Sequence, residues 1–121
     1  MNSGLVIEGH AVIKISFRTP NRPDFPIDFV VDTGFTGDLC LPLEAVAALG
    51  LSFDKLEPAR LANDSQIELS VYRATILWDG AEREVGVLAT GRRPLVGTAM
   101  LENHELVIQF TEGGIVTIDE L

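Results

Sequence analysis

The residues best placed to do chemistry in this chain lie in the stretch Phe29-Val30-Val31-Asp32-Thr33-Gly34-Phe35-Thr36-Gly37. Three apolar residues run into one carboxylate, Asp32, and the chain then breaks at Thr33-Gly34 and again at Gly37. A short apolar run reads as a buried strand, and glycines after it permit positive φ and close backbone approach. A carboxylate at the end of such a strand needs a partner for its charge or a proton of its own, because an isolated buried charge is costly. Asp-Thr-Gly is also an ordinary turn, so weight falls on a second feature. That feature is Pro94-Leu95-Val96-Gly97, an apolar pair closing on a glycine and followed by a helix-like stretch from Thr98 to Asn103.

Together the two motifs resemble those of single-lobe, retropepsin-like aspartic proteases of the bacterial type, in which Asp-Thr-Gly is followed by Phe and then by Ser or Thr and Gly. The resemblance spans nearly the whole chain, from Val30–Gly37 through Leu95–Gly97 and Ala99-Met100-Leu101 to a closing strand through Phe110. It implies an all-β fold: a closed acid-protease-like barrel with one or two short helices, one lobe per chain. Residues 1–121 then form a single domain. Peptide hydrolysis by carboxylates needs two acids that share a proton, and this chain offers one candidate. The resemblance therefore implies a homodimer in which two copies of Asp32 meet across a two-fold axis, with titrations that belong to the pair. The implied activity is that of an aspartic endopeptidase acting on peptide or protein substrates without a cofactor.

Carried over residue by residue, the resemblance turns the Thr33 hydroxyl inward to brace the two loops across the dimer. Gly34 lets the substrate backbone and the opposite acid approach. Leu95, Val96 and Gly97 pack behind the acid loop and fix its path. Phe35 departs from the wider family, where a small or hydroxyl-bearing residue follows the glycine. Thr36 can replace that hydroxyl, while Phe35 either lines a substrate pocket or packs in the core. A flap is implied at Leu61 to Gln66, with Ala62, Asn63, Asp64 and Ser65 over the substrate. The glycine-rich tip of viral members is missing there, and an ordinary surface turn is the other reading. For the whole molecule the alternative is a non-catalytic dimeric module that binds peptides in the same cleft, or a monomer whose Asp-Thr-Gly merely closes a turn.

Composition narrows the classes. The 121 residues are 46% apolar and have a positive mean hydropathy, enough for a core of their own but not for two pepsin-like lobes. A net charge of −9, with 18 acids against 9 Lys and Arg, leaves no electrostatic footprint for nucleic acid. No apolar run has the length of a membrane span, and Met1-Asn2-Ser3-Gly4 lacks the regions of a signal peptide, so a soluble cytoplasmic protein with no membrane partner is expected. The single cysteine, Cys40, agrees with a reducing compartment. It reads as a buried filler, since a thiol nucleophile would need a placed base and only His10 and His104 exist. Two histidines without metal-ligand spacing give no metal site.

The elements that must position Asp32 follow from patterning. Leu5–Ile7 and Ala11–Phe17 read as strands, Thr19–Asp24 as a turn, and Phe25–Val31 as the strand that presents the acid. Leu39-Cys40-Leu41 is apolar again. Pro42 suits the first position of a helix over Leu43–Leu49 closed by Gly50. Lys55–Leu61 and Gln66–Trp78 are strands around the Ala62–Ser65 turn, and Asp79-Gly80 turns the chain into Glu82–Ala89, with Val85 and Val87 inward. A change of phase near Arg73–Trp78 suggests a bulge or a strand passing between layers. Arg92-Arg93-Pro94 is a loop, Thr98 is placed to cap a short helix, and Leu106–Phe110 and Ile115–Ile118 close the chain around Gly113-Gly114.

Overall fold

Side chains in a strand alternate between faces, and the first hairpin uses that rule to build the core. In the computed structural model, which describes residues 2 to 121, β1 (Asn2–Ile7) turns at Glu8-Gly9, both at positive φ, into β2 (His10–Arg18). Met1, the first residue of the segment expected to lack a signal peptide, lies outside the described residues. Ala11, Ile13, Ile15 and Phe17 of β2 are all buried on one face. The Arg18 guanidinium at its end is bidentate to Asp24 and also bonds Glu82. Those bonds push Arg18 up and hold the Asp24 carboxyl below its ordinary range.

The chain continues as β3 (Phe25–Val31), β4 (Leu39–Leu41), α1 (Leu43–Leu49), β5 (Ser52–Arg60), β6 (Gln66–Trp78), β7 (Ala81–Ala89), β8 (Leu95–Val96), α2 (Thr98–Leu101), β9 (His104–Ile108) and β10 (Ile115–Glu120). The ten strands form one sheet in the order β5-β6-β7-β4-β8-β3-β2-β1-β10-β9. A further pairing of β6 with β2, Ile76 opposite Phe17, closes six of them into a ring. Phe17 and Phe29 stack inside at 5.9 Å between ring centroids, surrounded by Leu39, Leu41, Ile76, Val87, Val96 and Met100. The fold is mostly β with two short helices. Among the described residues no helix is long and apolar enough to cross a membrane.

Several elements differ from expectation, each for a local reason. Pro42 is the N-cap of α1, with ψ 147°, and not a residue of the helix, which runs over Leu43–Leu49 as expected; Gly50 closes it at φ 65°, as a left-handed cap should. Thr98 is the first residue of α2 and makes no capping bond; Gly97 holds the N-cap position. The phase change in β6 carries no bulge against β7, whose register runs unbroken from Val71↔Leu88 to Trp78↔Ala81. The shift sits on β5, between Phe53 and Lys55. β6 changes face because both its faces are covered: Ala74, Ile76 and Trp78 enter the core, and Val71 is buried from the other side. β5 starts earlier than Lys55, and β9 runs from His104 to Ile108, leaving Phe110 70% exposed in the loop that returns to β10. β10 pairs with β1 and β9 of its own chain.

Candidate active site

Asp32 stands one residue past β3, in parallel register with β8: Val30 opposite Leu95, Val31 opposite Val96. Its amide donates to the Val96 carbonyl at 3.0 Å, and its carboxylate Oδ1 accepts the Gly34 amide at 2.8 Å. The side chain is half-buried, neither sealed in the core nor free on the surface.

The loop after Asp32 is tied to the β8–α2 junction through backbone. Gly97 N donates to Asp38 O (2.9 Å), Thr98 N to Phe35 O (2.8 Å) and Ala99 N to Gly37 O (3.3 Å). The first amides of a helix have no intrahelical acceptor, and here the acid loop supplies two of the carbonyls. This arrangement replaces the side-chain cap expected of Thr98. Gly97 is fixed by space: a Cβ there would collide with the Gly37 carbonyl oxygen and stand 2.7 Å from the Phe35 ring. The same ring would lie 2.7 Å from a Cβ on Gly37. Phe35, half-buried, therefore lies over two glycines and at the same time lines a cavity beside the loop. It is not among the residues that form the core.

Thr33, Gly34 and Thr36 are exposed at the outer surface of the loop. Leu95, Val96 and Gly97 lie behind it, Val96 fully buried. The Ala62–Ser65 segment is the tip of the long β5–β6 arm. There Leu61 N donates to Ser65 O, Asn63 Oδ1 accepts the Ser65 amide (3.1 Å) and hydroxyl (2.6 Å), and Asp64 takes φ 66°. These tip residues are exposed, and neither they nor Asp32 line the cavity beside the loop, whose wall on the arm reaches only Glu57 on β5 and Val71 on β6.

That cavity, about 250 Å³, adds residues that sequence reasoning passed over: Asp38, Asp54, Lys55, Glu57, Arg73 and Gly86. Asp38 accepts the Gly86 amide at 3.0 Å. The available signal was strand register, which sets Lys55 opposite Val71 and Glu57 opposite Leu69, but register is not legible without the bulge on β5. Cys40 is buried with its Sγ 3.2 Å from the Thr90 carbonyl; burial pushes its thiol up, and the charge of Asp32 adds to that. A thiol so raised is a poor nucleophile at neutral pH.

A second polar cluster lies at the far end of β6. His104 donates from Nδ1 to the Glu102 carbonyl (2.7 Å), and its Nε2 lies 2.8 Å from Asp79 Oδ2 and 3.3 Å from Trp78 Nε1. Glu120 is close enough to make a three-donor group with them. Nδ1 faces an acceptor, whereas Nε2 faces both the Asp79 carboxylate and the Trp78 indole N–H, which can only donate, so a charged ring pairs with Asp79 at the expense of the Trp78 bond. Burial opposes that charge, but the Asp79 hydrogen bond, the Glu102 carbonyl and the nearby carboxylates outweigh it and raise the imidazole above its ordinary range.

No family model and no curated protein matches the chain. Among solved structures, the crystal structure of a retropepsin-like aspartic protease from Rickettsia conorii is similar to it, with a TM-score of 0.55. The likeness covers 96% of this chain and 92% of that one, at 21% identity. This chain has a retropepsin-like fold. At that identity the likeness concerns the path of the backbone. In the retropepsin-like fold of this chain, Asp32 is the carboxylate that the β3–β8 pairing presents.

Proposed function

We propose that the chain is an aspartic endopeptidase that works as a homodimer, its ring of strands forming the closed barrel of one protease lobe. The observation that carries this reading is the backbone-braced, half-buried Asp32 at the end of β3. Two such carboxylates brought together share one proton, because like charges at close range cannot both ionise. The ionised member takes a proton from water, the water oxygen attacks the scissile carbonyl carbon, and the protonated member gives its proton to the carbonyl oxygen. Collapse of the tetrahedral species then breaks the C–N bond as the amine takes the proton first removed from water, while a hydroxyl proton of the tetrahedral species returns to the other carboxylate. Each chain supplies a single acid loop, so the catalytic pair is made only by association of two copies.

In the dimer, Thr33 braces the paired loops and Gly34 leaves room for the opposite acid. The arm ending at Ala62–Ser65 covers the bound peptide and excludes water. The test is cleavage of a diverse peptide mixture from acid to neutral pH, read by mass spectrometry, for the natural chain and Asp32→Asn. Cleavage that vanishes in the variant supports the reading. Peptides that bind but stay intact at concentrations where the dimer persists would point instead to a peptide-binding module.

A further inference from the structure

The cavity beside the acid loop has two kinds of wall. Its floor is apolar, with Phe35, Leu39, Val71 and Leu88, while three carboxylates, Asp38, Asp54 and Glu57, stand around it. The opposing cations are Lys55 and Arg73, and Arg73 is engaged by Glu84 at 3.4 Å. Among the described residues no ion pair engages Asp38, Asp54, Glu57 or Lys55. Three carboxylates, of which Asp38 already accepts the Gly86 amide, thus face one ammonium outside any ion pair.

We propose that this cavity is a specificity pocket for a lysine or arginine side chain, so that the enzyme takes basic peptides in preference to apolar ones. The inference rests on the reading of the chain as an endopeptidase and names its substrate class. A long cationic side chain buries its aliphatic stem and keeps its head polar: the stem lies along Val71 and Leu88, and the head meets the carboxylates. A norleucine side chain, which matches the lysine stem, fills the same floor but strips water from carboxylates that gain no cationic partner, which is costly. Asp54 and Glu57 lie on the arm, so the pocket acquires its charge from the same element that covers the peptide. The net charge of −9 acts in the same direction at long range, raising the encounter rate of basic chains.

The probe is a pool of randomised decapeptides with one central position fixed as lysine, arginine, leucine or norleucine, bound to the Asp32→Asn protein and followed by fluorescence anisotropy. The lysine and arginine pools are expected to bind about tenfold more tightly than the norleucine pool at low ionic strength, with the advantage shrinking as salt is added. Asp54→Asn combined with Glu57→Gln is expected to erase most of the advantage. Lys55→Gln is expected to enlarge it, a gain that misfolding cannot imitate. Equal binding of the four pools, or a preference that neither variant moves, overturns the pocket. Cleavage by the natural chain separates the two levels of the account. Cleavage without cationic preference sinks the pocket alone, whereas preferential binding without any cleavage supports the pocket and sinks the endopeptidase.

Discussion

The Asp32 carboxylate accepts one amide, that of Gly34, and its backbone is anchored to Val96, so the position of the acid is set by main-chain geometry. Its neighbours are chosen for what they leave out. Gly97 is the clearest case: Gly97→Ala drives a methyl into the Gly37 carbonyl and the Phe35 ring. It is expected to cost roughly 2–3 kcal/mol, as overpacking of a closed interior does, read as a fall in the urea midpoint. An unchanged midpoint would show that the loop can move aside. Asp32 and Gly97 were legible in the sequence as the ends of two motifs. Asp38 was not, because its role comes from the Gly86 amide of a distant strand, and nothing local marks it.

At the scale of elements, the β5–β6 arm and the cluster at the end of β6 make separate predictions. Asn63→Ala removes the acceptor that orders the arm tip through Ser65. At an exposed turn this is expected to change stability by no more than about 0.5 kcal/mol, yet to raise KM for peptides, because a looser tip covers substrate less well. A KM equal to that of the natural chain would remove the tip from the account.

The Asp79–His104 pair joins the β6–β7 turn to β9, and Asn2 of β1 donates to the same carboxylate at 2.8 Å. His104 is raised above its ordinary 6.5, so its contribution to stability is complete below pH about 6.5 and is lost as pH rises through the higher folded value. For Asp79, burial would raise the carboxyl, but His104 and Asn2 prevail and bring it below its ordinary 3.8. Its contribution is present above pH about 3.8 and is lost as pH falls through the folded value. The urea midpoint of the natural chain is therefore expected to decline as pH rises above about 6.5, and Asp79→Asn to flatten that decline. Parallel curves for the two proteins would assign the slope elsewhere.

The bounds of β3, α1 and β6 could be read from the chain because apolar periodicity and turn residues agree there. Pro42 and Gly50 bracket α1, and Asp79-Gly80, both at positive φ, ends β6. The start of β5 could not, since nearly all its side chains are exposed and no burial pattern is imposed on it. The capping of α2 by the acid loop was also hidden, because backbone carbonyls carry no sequence signature.

For the whole molecule, the central claim is that one site is made by two chains. The fold shows how a single loop is built, and β10 is paired with β1 and β9 of its own chain. The most direct test mixes the natural chain with an equal amount of Asp32→Asn and lets subunits exchange before the cleavage rate is measured. Random pairing places half of the natural chains in mixed dimers that hold one carboxylate. The rate is then expected to fall to about half that of the same quantity of natural protein at the same total concentration. A rate that is unchanged after exchange has been verified would mean that one Asp32 suffices, and would contradict the shared pair.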